Sequence, residues 1–105
     1  MIRILVQEEN GKIREVSIDG HAEADVHGQD VVCAAISAIA FGLCNALDEM
    51  TDRVGFEVED NHIRIYVPAE DETAETILRT GLIQFETVAE VNSEFVQIIN
   101  GGEMQ

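Results

Sequence analysis

The stretch Val31-Val32-Cys33-Ala34-Ala35-Ile36-Ser37-Ala38-Ile39-Ala40-Phe41-Gly42-Leu43-Cys44-Asn45-Ala46-Leu47 contains no charged side chain. Seventeen uncharged residues reach only the short limit of a membrane span, and this run includes Ser37, Asn45 and several alanines. Hairpin-like segments lie on both sides of it. The reading is therefore a buried helix of a folded domain, with no membrane contact. Asp30 is the candidate N-cap, and the helix runs to about Met50. Because it is apolar nearly all round, it is expected to be covered on more than one side.

Ahead of this helix, Ile2, Ile4 and Val6 alternate as a half-buried strand does, and Asn10-Gly11 is a strong hairpin signal. Ile13, Val16 and Ile18 return, with one irregular step that reads as a bulge. Residues 20–29 have no usable periodicity and read as a loop. After the helix, Val54, Phe56 and Val58 alternate, Asp60-Asn61 turns, and Ile63, Ile65 and Val67 form a second hairpin that Pro68 ends. Asp71-Glu72 supply negative charge at a helix N-terminus. Ala74, Ile77, Leu78, Phe85, Val88 and Ala89 then mark the apolar stripe of a second helix to about Val91, with Gly81 as a weak point. Phe95 to Ile99 close the pattern as a short strand. The order is ββαββαβ: an α+β single domain over residues 1–105, one mostly antiparallel sheet with two helices.

The 105 residues, 46% of them hydrophobic, suffice for one core and not for two. Six Lys and Arg against 21 Asp and Glu give a formal charge of −15. Such a surface repels phosphate backbones, which argues against direct nucleic-acid binding, and it attracts basic partners. Cys33 and Cys44 are eleven positions apart on one helix, about 16 Å, too far for a disulfide. Together with an N-terminus that turns acidic too early for a signal peptide, this predicts thiols in a reducing, cytoplasmic compartment.

Chemistry concentrates at Cys33. Three residues past the proposed cap, it lies in the first helical turn, where unpaired N–H groups favour a thiolate. Cys44, deeper in the apolar helix, reads as an inert thiol. A nucleophilic cysteine needs an imidazole. His21 opens the loop directly after a strand and is better anchored than His27, while His62 sits in a distant turn. Asp30 caps and secondarily orients an imidazole, and Ser37 lies one turn after Cys33 on the same face. His21, His27, Asp30 and Cys33 also offer metal donors, but no paired-ligand spacing supports a metal, and no cofactor is expected.

Gly20-His21-Ala22, followed by Gly28-Gln29-Asp30-Val31-Val32-Cys33-Ala34-Ala35-Ile36-Ser37, resembles the signature of the bacterial ribosomal-processing cysteine protease family (Prp). Two separated blocks match in content and spacing, and the element order and length match along the whole chain. The loop Glu23-Ala24-Asp25-Val26-His27 departs from the family pattern, which has more glycine and an aromatic residue there. The resemblance implies a homodimeric endopeptidase that removes the N-terminal extension of ribosomal large-subunit protein L-twenty-seven. It implies Cys33 as nucleophile and His21 as base, with Gly20, Asp30 and Ser37 in support. Two rival readings are a non-catalytic acidic dimer that binds or escorts a basic ribosomal protein, and a redox-sensing thiol protein. The second wants a resolving cysteine nearer than Cys44.

Overall fold

Asn10 and Gly11 both take positive φ, 55° and 77°, the backbone of a two-residue turn whose twist suits antiparallel strands. They join β1 (Ile2–Glu9) to β2 (Lys12–Asp19). The computed structural model describes residues 1–20 and 29–103. The chain continues through α1 (Gln29–Met50), β3 (Gly55–Glu59), β4 (His62–Tyr66), α2 (Glu72–Val91) and β5 (Val96–Glu103). This is the ββαββαβ order read from the sequence.

The five strands form one sheet in the order β3-β4-β2-β1-β5. Every neighbouring pair is antiparallel except β1 with β5. The irregular step in β2 is a bulge: Gln7 faces Glu15 and Glu8 faces Ile13, which leaves Arg14 as the extra residue. The bulge is tied to the end of β4, where Val67 N–H donates to the Arg14 carbonyl (2.8 Å) and Arg14 Nε donates to the Val67 carbonyl (2.7 Å).

Strand alternation sends Ile2, Ile4, Val6, Val16, Ile18, Ile63 and Ile65 into the core, while Arg3, Glu15 and Arg64 stay at least partly accessible. The helices complete the core with Val32, Cys33, Ile36, Ala40, Leu43, Cys44 and Leu47 from α1, and Ala74, Leu78 and Phe85 from α2. Asp71 caps α2, its side chain accepting from Ala74 N–H at 3.0 Å. Burying Phe85 and Leu78 contributes roughly 1.5–3 kcal/mol each.

Several expectations change. The first helix starts at Gln29, so Asp30 lies inside it and is not its N-cap; an acidic residue in the first turn still suits the dipole. In the single chain α1 is covered on one side only: Val31, Ala34, Ala38 and Phe41 are exposed. Small side chains make this helix apolar without making it buried all round. Gly81 is no weak point. It is buried, and a Cβ there would lie 2.4 Å from Leu43 Cδ1, so glycine is what lets α2 approach α1. The last strand runs to Glu103, beyond Ile99. Gly101 packs closely on β1, where an added Cβ would meet Leu5 Cδ1 at 3.1 Å.

Candidate active site

The registers gather four chain segments at one end of the sheet. Ile2 pairs with Val96, Arg3 with Asp19, and Asp19 with His62, which also pairs with Glu59. β2 ends here at Asp19, and nine residues separate it from the start of α1 at Gln29. His21 and His27 lie in that interval, outside the described residues, as does the departing loop 23–27; the Asp30 side chain lies outside them too.

Gly20 is buried and has φ +88°. Its N–H donates to the Asn61 carbonyl at 3.1 Å. A Cβ on it would sit 2.4 Å from the Met1 carbonyl oxygen, so only glycine fits this conformation and this space. Met1 is itself fixed through Ile2 N–H, which donates to the Phe95 carbonyl at 2.7 Å.

Cys33 is the fifth residue of α1, at the start of its second turn, two positions deeper than the first-turn place expected from an Asp30 cap. It is 5% exposed and joins the core cluster with Val32 and Ile36. Ser37, four residues on, is half-buried on the same side of the helix. Cys44 is also buried, and burial pushes its thiol above the ordinary value of 9.0. The two cysteines thus differ in position along the helix rather than in burial. Among the described residues, no three His, Cys, Asp or Glu side chains cluster as metal ligands would.

The third histidine is not distant. His62 opens β4, and its Nδ1 is 2.5 Å from Asp19 Oδ1, one residue before Gly20. Sequence reading missed it because a turn histidine carries no signal of which strand lies across from it. Only the β2–β4 register brings it here.

The charge is distributed unevenly. Lys12 pairs with Glu70 and Glu72, Arg14 with Glu9, Arg64 with Glu15 and Glu57, and Arg79 with Glu8 and Glu75. These cations answer carboxylates beside them and leave the remaining acidic groups unbalanced. At the Gly20 end of the sheet, Asp19, Glu59 and Asp60 are exposed.

Residues 1–97 match the family described as cysteine protease Prp. The ribosomal processing cysteine protease Prp of Staphylococcus aureus is 36% identical over 102 residues, 92% of this chain and 94% of that protein. The crystal structure of the essential ribosomal processing protease Prp from S. aureus with a substrate peptide superimposes with a TM-score of 0.89 at 31% identity, over 95% of this chain and 99% of that one. A second structure of that protease, with a covalently linked product peptide, gives 0.84 at 32% over the same shares. The fold, the element order and the match along nearly the whole chain lead to one conclusion: the chain belongs to the Prp family of cysteine proteases.

Proposed function

We propose that this protease uses Cys33 as its nucleophile and His21 as its base to remove an N-terminal extension from a basic ribosomal protein, L-twenty-seven of the large subunit, in the cytoplasm. The observation that carries this reading is the covalently linked product peptide in the S. aureus relative, set beside the position of Cys33 near the start of α1, buried in the core.

His21 takes the proton from Cys33 Sγ, and the thiolate adds to the scissile carbonyl carbon, moving the π electrons onto oxygen. Collapse of that oxyanion breaks the C–N bond, and the departing amine leaves with the proton held by His21. A thioester remains. Water, giving its proton to His21, attacks it and frees the Cys33 thiol with the carboxylate product. Asp30 and Ser37, both on α1, are supporting positions, and Gly20 sets the exit of β2.

We also propose that the working form is a homodimer. Val31 and Phe41 are 71% and 45% exposed on the uncovered side of α1, and Ile83 is 57% exposed on α2. Between the helices runs a groove of about 520 Å³ lined by Ala38, Ile39, Gly42, Leu43 and Ile77. A second copy covering this face removes these apolar side chains from water.

The test is cleavage of the extended ribosomal protein, followed by mass spectrometry of its N-terminus. Cys33→Ala and His21→Ala should abolish cleavage with unchanged circular dichroism, and His27→Ala should leave the chemical step largely intact. A dead His27→Ala beside an active His21→Ala would move the base to His27.

A further inference from the structure

We propose that Asn100 is a site of spontaneous deamidation, at which Gly101 supplies the attacking nitrogen and the Gly102 N–H holds the oxygen that becomes charged.

Two of the five asparagines, Asn10 and Asn100, precede a glycine, whose lack of a Cβ leaves the side-chain amide open to the backbone that follows it. The sequence treats the two alike. The structure does not. Asn10 and Gly11 form the turn between β1 and β2, both with positive φ. That turn is clamped to α2: Arg79 Nη2 donates to the Gly11 carbonyl at 3.1 Å, and Ile13 N–H donates to Glu75 Oε2 at 2.6 Å. Ring closure needs the Gly11 nitrogen to swing toward Cγ of Asn10, and a clamped turn resists that rotation.

Asn100 lies exposed on β5, an edge strand. Val6 pairs with Asn100 and Glu8 with Glu103, so β5 carries an extra residue at Gly101-Gly102. The ladder is disrupted there, and the Gly102 N–H turns to a side chain, donating to Asn100 Oδ1 at 3.0 Å. This bond draws the amide of Asn100 forward along the chain, toward the Gly101 nitrogen. It also aims a donor at the oxygen on which negative charge develops, at a distance suited to an oxyanion.

The step balances with water alone. Hydroxide takes the Gly101 amide proton, the nitrogen attacks Cγ, and the π electrons move onto Oδ1. Collapse of the oxyanion breaks the bond to the side-chain nitrogen, which takes a proton from water and departs as ammonia. The resulting succinimide is opened by water at either carbonyl, giving an aspartyl or isoaspartyl residue at position 100. Both products add a negative charge. The isoaspartyl form also lengthens the main chain by a methylene and breaks the register with β1 beyond Val6.

The experiment holds the folded protein at neutral pH and follows the Asn10 and Asn100 peptides by mass spectrometry over time. Asn100 should convert about fivefold faster than Asn10, with isoaspartate among its products, and unfolding in urea should bring the two rates close together. Gly102→Pro, which has no N–H to donate, should slow conversion at Asn100 to a similar degree and leave Asn10 unchanged, its melting temperature reporting that it folds. Equal rates at the two sites in the folded wild-type chain would overturn the proposal without recourse to any variant. An unchanged rate at Asn100 in folded Gly102→Pro would overturn it too, since the donor would be idle. Aspartate with no isoaspartate would do the same, because no ring would have formed.

Discussion

At Cys44, burial raises the thiol above its ordinary range, so at neutral pH it stays protonated and inert. Cys33 is no more exposed, yet it sits nearer the start of α1, and in the proposed mechanism an imidazole takes its proton. Iodoacetamide at neutral pH should therefore modify Cys33 much faster than Cys44 in the folded protein, read by mass spectrometry of the labelled peptides. Equal rates would mean that neither the helix end nor an imidazole activates Cys33. The proposed thiol and imidazole could be singled out from the sequence because such chemistry depends on few side chains at a recognisable spacing. The partners of Asp19 and Gly20 were not, since a strand's lateral neighbours depend on a register that no local pattern encodes.

Among the elements, the α1–α2 contact turns on Gly81. Alanine there gains about 1 kcal/mol of helix propensity but drives a methyl group into Leu43, at a cost of roughly 1–3 kcal/mol. Gly81→Ala should lower the melting temperature by several degrees. Introduced on top of Leu43→Ala, the same change should raise it, because the room has been made; thermal unfolding of the four proteins gives the coupling directly. Every strand and both helices could be read from alternation, turns and caps, since these signals are local. What misled was chemistry with two outcomes. Gly81 reads as a flaw in a helix when considered alone and as a contact when Leu43 is known. The uncharged run of α1 reads as buried all round, although its alanines cover one exposed side without needing a partner inside the chain. The first turn of that helix begins two residues earlier than an Asp30 cap would place it.

For the whole molecule, charge and assembly give two expectations. Four of its six basic residues are held by adjacent carboxylates, so the net −15 is felt at a distance. Such a field is screened over about 8 Å at physiological salt and speeds encounter with a basic substrate. kcat/KM for the full-length basic protein should fall as salt rises, while a short neutral peptide spanning the same bond should respond little. A similar response from both would leave the acidity with a role in solubility alone. Light scattering at micromolar concentration should give twice 11.6 kDa, and a monomer mass would count against the paired form. The parallel pairing of β1 with β5 also has a side in time. The first strand made is completed by the last: Ile2 waits for Val96 and for the Phe95 carbonyl, and Met1 braces Gly20 only once Ile2 is held. At about 5–20 residues per second, a nascent chain spends seconds with the proposed nucleophile and base already synthesised and the sheet still without its last strand. Peptidase activity thus belongs to the finished chain, and synthesis halted before β5 yields the reactive groups without the enzyme.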